Sequence, residues 1–201
     1  MRKLLLGAAF FSAALLGATA FARGEPLQNI PLKWTPTATL AEWGAVDISG
    51  AMAAAKVRID AFADTRENPG LVGENRENAE KIRPVTTSGD VASFIADHLK
   101  EGLRGAGLSI VDSGGDLVLS GEIRRFFVTE VNTYGGEISV LVHLKNGAGK
   151  ELWSGVVTGD STRWGRSYSA ANYYETMSDM VLSATHNLLA NPGFHDALAR
   201  P

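Results

Sequence analysis

Three consecutive segments in the second half of the chain alternate apolar and polar residues, the pattern of β-strands that bury one face. The first, DLVLSGEIRRFFVTEV, is long, and its alternation slips near Arg124 and Arg125, which predicts a β-bulge. In the second segment, GEISVLVHLKN, one face carries Ile138, Val140, Val142 and Leu144, and KELWSGVVTGDS is the third segment. The connections VNTYGGE and NGAG contain the Asn and Gly residues that accept the positive φ angles of tight turns. The pattern therefore predicts an antiparallel meander.

Two long helices are predicted on either side of this meander. In the first, an apolar stripe recurs at helical spacing: Val91, Phe94, Ile95, Leu99, Leu103 and Ala106. Ser88 or Asp90 can cap its start, and Gly105 or Gly107 can end it. The second has a similar stripe: Tyr173, Met177, Met180, Val181, Ala184 and Leu188. We therefore expect one α+β domain, with a four- to five-stranded, mostly antiparallel sheet and two long helices packed on one face.

The stretch KVRIDAFADTREN begins as a strand and then enters a long polar segment. Alternation from Val57 suits a strand of about eight residues, and a loop of more than twenty residues then extends to about Thr87. Asp64 is expected to end the strand with an Asx turn, and Arg66 to pair with Asp60 or Asp64. Because loops of this length are usually functional or disordered, partner binding by the loop is the sharper hypothesis.

The N-terminus has the order of features found in a cleavable secretory signal. Arg2 and Lys3 precede an apolar run of about a dozen residues, which is too short to cross a bilayer of roughly 30 Å as a helix. Two A-x-A patterns follow, and we expect cleavage after Ala22. The mature protein is therefore expected in the periplasm.

The predicted organisation has four parts. Residues 1–22 form the signal peptide, and residues 23–50 form an extended leader that contains three prolines, Trp34 and Trp43. Residues 51–192 form the α+β domain, and residues 193–201 form a C-terminal tail.

Composition excludes several classes of protein. The chain has no cysteine, which rules out disulfides, thiolate chemistry, Cys-ligated metal and a lipoprotein anchor on a lipobox cysteine. Without Arg2 and Lys3, 17 basic residues face 22 acidic residues, a formal charge of −5. A modestly acidic chain lacks the clustered cations of a nucleic-acid binder. No second apolar run has the length of a membrane span.

No motif carries catalysis or cofactor binding. GRSYS lacks the final glycine of a nucleophile elbow, so Ser167 or Ser169 is interpreted as a helix N-cap. The four histidines show no metal-binding spacing: His98, His143, His186 and His195. The glycines of ENPGLVGENREN lack the ending of a phosphate loop. We predict no cofactor and no enzymatic activity.

Several stretches resemble the YajG-like family of small bacterial envelope proteins, which is related in fold to auxiliary lipoproteins of ABC transporters. The resemblance lies in KVRIDAFADTREN with its D-x-R element Asp64-Thr65-Arg66, in VASFIADHLKEGLRGAGLSIV, in DLVLSGEIRRFFVTEV and in GKELWSGVVTGDS with the final helix. It covers residues 50–198 and implies a non-enzymatic protein that binds envelope components. The family's lipobox cysteine is absent here, so its membrane anchoring does not carry over.

Two functions follow as expectations. The first is a periplasmic binding or accessory module whose partner is a protein or an envelope component, with candidate contacts at Asp64, Arg66, Trp34, Trp43 and Trp153. An uncovered sheet face carrying Leu141, His143 and Trp153 would add to that surface. The alternative is a small hydrolase, which would bring together at least two of His143, His186, Asp60, Asp64, Ser167 and Ser169 in one cleft.

Overall fold

A computed structural model describes residues 26–200, so the expected signal peptide lies outside the described residues. These residues form eight strands and five helices in one α+β domain. The strands are β1 (Lys56–Ile59), β2 (Ala63–Asp64), β3 (Leu71–Asn75), β4 (Arg83–Thr86), β5 (Ser109–Val111), β6 (Leu117–Glu130), β7 (Thr133–Asn146) and β8 (Glu151–Trp164). The helices are α1 (Leu40–Trp43), α2 (Gly50–Ala54), α3 (Val91–Gly105), α4 (Ala170–Leu189) and α5 (Pro192–Leu198).

The long strand β6 organises the sheet. On one side it pairs antiparallel with β7, which pairs antiparallel with β8, so the predicted meander is confirmed. On its other side it pairs in parallel with β1, β2 and β3 in turn. Strands β5 and β4 extend the sheet beyond β1 and β3. The α+β class is confirmed, whereas the counts of four to five strands and two helices were wrong.

The β-bulge predicted in β6 is confirmed. The pairing of β6 with β7 shifts register between Ile123 and Arg125. Leu119 and Ile123 are fully buried before the shift, and Phe126 and Val128 are fully buried after it. One extra residue thus keeps the apolar side chains of both halves on the same face of the sheet.

The segment predicted as a loop between Asp64 and Thr87 contains the β3–β4 hairpin, so that prediction was wrong. Val72 and Val85 anchor the hairpin in the core, and both are fully buried. Short strands interrupted by Gly and Pro carry little alternation, which hid them in the sequence. The first strand is also shorter than predicted: it breaks after Ile59, and Phe62 packs over Gly121, where a side chain would leave it no room.

Both long helices cover one face of the sheet. The predicted stripe of α4 is buried throughout, and that of α3 is buried except for Ala106, which is half-buried. Side chains of α4 also bond the outer edge of β8: Ser183 Oγ accepts from the Asp160 amide at 3.2 Å, and Asn187 Nδ2 donates to the Thr158 carbonyl at 2.8 Å. These bonds occupy edge groups that would otherwise be free to pair with another strand.

The two ends of the described chain pack on the domain. The leader pairs with the edge of β4, where the Thr86 amide donates to the Leu27 carbonyl and the Ile30 amide donates to the Thr86 carbonyl. At the other end, residues expected to form a tail belong to α5, whose Phe194 and Leu198 are fully buried. Among residues 26–200, no helix combines the length and apolar character needed to cross a membrane.

The start of α3 offers a matched pair of variants. Asp90 is the N-cap, and its carboxylate accepts a hydrogen bond from the Ser93 amide at 3.0 Å. We expect Asp90→Ala to lower the free energy of unfolding by about 1 kcal/mol, because it leaves that amide without its partner. Urea unfolding followed by circular dichroism measures this loss. Ser88→Ala, which removes the other cap considered from sequence, should change it by less than about 0.5 kcal/mol; equal losses from both would contradict the assignment.

Candidate binding site

A cavity of about 670 Å³ lies at one end of the sheet, where three segments of the chain meet. Its walls include Glu77, Asn78, Lys81 and Ile82 from the tip of the β3–β4 hairpin (residues 76–82), the first described residues of the leader, and Tyr168 in the β8–α4 connection. Every residue of the hairpin tip is exposed. A cavity of this size lies within the range that takes small ligands, roughly 300–1,000 Å³.

Tyr168 ties the three walls together. Its hydroxyl accepts from the Leu27 amide at 3.1 Å and donates to the Pro84 carbonyl at 3.3 Å. Its backbone amide donates to Glu130 Oε1 at 2.9 Å. The residue has a φ of +43°, a conformation that costs a non-glycine residue about 1 kcal/mol or more. These bonds hold it there, and the ring forms a fixed wall of the cavity.

Glu130 is the buried carboxylate behind this wall. It is fully buried, and Tyr173 donates its hydroxyl proton to Oε2 at 3.1 Å. Burial is the largest cause that raises the pKa of Tyr173 well above its ordinary value, and the negative charge of Glu130 is the second. The phenol therefore remains a hydrogen-bond donor. Both carboxylate oxygens therefore have donors, and Glu130 serves to position Tyr168.

Asn75, which pairs with Glu130 across the β3–β6 ladder, is one of the residues that line the cavity. The side chain is 1% exposed. Its Oδ1 accepts from the Glu77 amide at 3.3 Å, whereas its Nδ2 has no hydrogen-bond partner among residues 26–200. If the Asn75 side-chain amide were flipped, its Nδ2 would face the Glu77 amide and two donors would meet. The hydrogen bond at Oδ1 therefore fixes the orientation of the side-chain amide.

The rim of the cavity carries more cationic than anionic groups. Arg83 stacks over the Tyr168 ring at 3.9 Å, and it lies 3.9 Å from Glu77. Glu77 also accepts from Arg166 at 3.1 Å. Lys81 lines the cavity too, and Glu77 is the one acidic residue of the lining among the described residues. The rim therefore favours an anionic ligand.

Asp64 and Arg66, predicted as partner contacts, form a pair that is largely buried. The Arg66 side chain is 8% exposed, and its Nη2 lies 2.6 Å from Asp64 Oδ2. The Arg66 amide donates to Asp64 Oδ1 at 3.2 Å, the hydrogen bond of the expected Asx turn. Burial would raise the pKa of Asp64, but the hydrogen bonds and charge of Arg66 outweigh it and hold that pKa below its usual value.

The three tryptophans predicted as contacts lie apart. Trp34 is half-buried and stacks on His98 with ring centroids 3.9 Å apart, beside a second cavity of about 500 Å³. Trp43 is 38% exposed. Trp153 lies opposite Leu144 on the helix-covered face, where it packs against Phe194, so it is not on the uncovered face that was predicted to carry it. That uncovered face carries Leu141, His143 and Val156.

The residues of the hydrolase hypothesis have other partners. Ser167 Oγ lies 2.9 Å from Asn172 Nδ2 and 3.3 Å from the Tyr134 hydroxyl. His143 pairs with Glu151 on the uncovered face, and Asp60 pairs with Arg58. Within residues 26–200, no hydrogen bond or ion pair joins any two of the six: His143, His186, Asp60, Asp64, Ser167 and Ser169. Ser169 is the N-cap residue of α4, although its side chain makes no capping bond.

Two cavity residues, and the buried carboxylate behind them, were missed from the sequence because they come from distant segments. Asn75 lies in the segment predicted as a polar loop, Tyr168 lies in the GRSYS motif, and Glu130 lies at the end of a predicted strand. Only the length of the segment from Asp64 to Thr87 pointed toward this region. Nothing in the spacing of residues indicated that the three converge.

In sequence, the chain matches no family model and no curated protein. Among solved structures, protein XCC0632 of Xanthomonas campestris, from family DUF330, aligns with a TM-score of 0.52 and 12% identity over 68% of this chain and 82% of that one. An uncharacterized protein aligns with a TM-score of 0.52 and 8% identity over 81% and 97%. A PelC dodecamer of Paraburkholderia phytofirmans aligns at 22% identity over 67% and 88%, with a TM-score of only 0.40. The first two likenesses establish the fold alone, and the third carries no argument.

Proposed function

We propose that this protein is a non-enzymatic, exported protein of the bacterial envelope that acts as a binding or accessory module through the cavity of Asn75 and Tyr168. The observation that carries the proposal is the β3–β4 hairpin. It is held to the core at its base, whereas its exposed tip stands over a cavity of about 670 Å³ whose lining carries Lys81 and Arg83 against one carboxylate, Glu77. Connecting β2 to α3 does not require such a structure.

One further point supports an envelope role: the N-terminal sequence has the order of features expected of a secretory signal. The YajG-like assignment and the link to transport or envelope maintenance belong to the same proposal. A periplasmic location follows from cleavage after Ala22.

The β3–β4 hairpin limits which variants can test the binding surface. Deleting residues 67–84, most of the predicted loop, would remove β3 and the first half of β4. A photo-cross-linking amino acid at Ile82 probes the surface without that damage, because this side chain lines the cavity and is 48% exposed. Ala148, exposed in the β7–β8 turn, is the matched control position.

We expect cross-linking in living cells to capture one reproducible partner from Ile82 and not from Ala148, as identified by mass spectrometry. The partner should be an envelope protein or an envelope-bound molecule. The same set of products from both positions, or nothing above background from Ile82, would count against the proposal.

A further inference from the structure

We propose that the end of the sheet where Trp164, Val131 and Ile82 are exposed docks on an anionic lipid surface, with these three side chains entering the headgroup region. Binding of a partner in the cavity does not require contact with lipid, so this inference goes beyond the proposed function. The cavity lies at the same end of the sheet, so docking would hold it at a membrane.

The register of the strands brings the three side chains to this end. One row of paired residues crosses β4, β3, β6, β7 and β8: Arg83, Asn75, Glu130, Tyr134 and Arg163. Ile82 comes directly before β4, Val131 directly follows β6, and Trp164 is the last residue of β8, so all three lie just beyond that row. Neighbours among them are two strands apart, which places them about 10 Å from one another along the sheet end.

These side chains are unusually exposed as a group. Five large apolar side chains are exposed among residues 26–200, and three of the five stand at this end of the sheet. Trp164 is 84% exposed, the most of the five. Single exposed apolar residues are common, whereas a group of them at one end of a molecule marks an interaction site. Tryptophan is also typical of the membrane–water interface, where its amphipathic ring lies at headgroup level.

The charges at this end are mainly positive. Residues 76–83 and 164–167 contain four basic side chains, Arg76, Lys81, Arg83 and Arg166, against two acidic ones, Glu77 and Glu80. Arg76 pairs with Glu74, Arg83 and Arg166 share Glu77, and Lys81 makes no ion pair within residues 26–200. The chain as a whole has a formal charge of −3, so this end carries the opposite sign. It therefore complements an anionic surface, to which each basic residue adds roughly fivefold in affinity.

The spacing of the apolar side chains favours lipid over a protein partner. They stand on three separate segments, with basic residues between and around them. A protein interface needs a continuous core that packs as densely as a protein interior. A fluid headgroup layer instead accommodates separate apolar side chains and binds their basic neighbours at the same time.

Co-sedimentation of the mature protein with lipid vesicles tests the inference. We expect binding to vesicles of equal parts phosphatidylglycerol and phosphatidylcholine, and at least tenfold weaker binding to phosphatidylcholine alone. Salt at about 1 M, where the Debye length is about 3 Å, should release most of the bound protein. Equal binding to both kinds of vesicle, or no binding to either at millimolar lipid, would overturn the inference.

Matched variants connect binding to this end of the sheet. Trp164→Ser should weaken binding to the mixed vesicles at least fivefold and leave thermal stability unchanged, because the side chain is almost fully exposed. Val156→Ser changes another exposed apolar residue of β8, about 25 Å away along the strand, and should have no effect. Lys81→Gln should weaken binding, whereas Lys150→Gln, in the opposite turn, should not. Equal losses within either pair would contradict docking by this end.

Fluorescence quenching by brominated lipid locates the contact. Trp164→Phe keeps an apolar ring, so it should still bind the mixed vesicles but lose the quenching seen in the wild type. The other three tryptophans lie against helices α3, α4 and α5: Trp34 beside His98, Trp43 beside His186 and Trp153 beside Phe194. Quenching that persists in Trp164→Phe would overturn the inference. A partner captured from Ile82 while no vesicle is bound would refute lipid docking and leave the binding function standing, and vesicle binding without a captured partner would do the reverse.

Discussion

Replacing Arg66 with methionine is expected to lower the free energy of unfolding by about 3–5 kcal/mol, because it leaves a largely buried carboxylate without its partner. The guanidinium donates to both oxygens of Asp64. It also donates to three backbone carbonyls, at 3.1 Å for Leu71, 3.1 Å for Phe126 and 2.7 Å for Pro69. One side chain thus joins the loop after β2, the hairpin and the central strand.

Urea unfolding measures this loss, and Arg125→Met is the matched control. Arg125 pairs with Glu137 on the uncovered face, where the two side chains are 50% and 62% exposed. Exposed pairs contribute little, so the control should lose less than about 1 kcal/mol. Similar losses for the two variants would mean that Arg66 does not connect these segments.

The pH dependence of stability provides an independent check on the same pair. The folded-state pKa of Asp64 lies below its unfolded value, so the pair stabilises the fold above the unfolded pKa of about 3.9 and loses its effect as pH falls through the folded pKa. The difference in stability between the wild type and Asp64→Asn should therefore be full at pH 7 and shrink below about pH 4. A difference that stays constant down to pH 2.5 would exclude the ion pair as its source.

Replacing Gly159 with alanine is expected to lower the free energy of unfolding by about 3 kcal/mol or more, because β8 and α4 meet there backbone against backbone. A Cβ atom at Gly159 would lie 2.3 Å from the Met180 carbonyl oxygen and 2.4 Å from the Ala184 nitrogen. These are main-chain atoms of the helix, so no side-chain rotation can relieve the contact. The whole helix would have to move away from the sheet.

Thermal and urea unfolding of Gly159→Ala measure the loss, with Gly135→Ala as the control. Gly135 lies in β7, where a Cβ atom would approach nothing closer than 3.9 Å. The control should change stability by less than about 1 kcal/mol. Unchanged stability of Gly159→Ala would show that α4 does not pack as closely on β8 as described.

The meander and the two long helices were predictable because their signals are local. Strand alternation, helical spacing, turn residues and caps all depend on residues within a few positions of one another. The bulge was visible for the same reason, as a change of phase within β6. The hairpin of β3 and β4 was not, since each strand is too short to show a pattern and is stabilised by pairing with β6.

The sequence by itself determined the α+β class, the meander with its bulge, the Asx turn at Asp64 and the absence of any cysteine chemistry. The tertiary structure alone decided that Arg66 is buried, that Trp153 faces the helices, and that Asn75 and Tyr168 line one cavity with Glu130 buried behind Tyr168. The physical reason is the range of the interactions. Local patterns follow from neighbouring residues, whereas burial and the pairing of polar groups depend on segments that are brought together only when the chain folds.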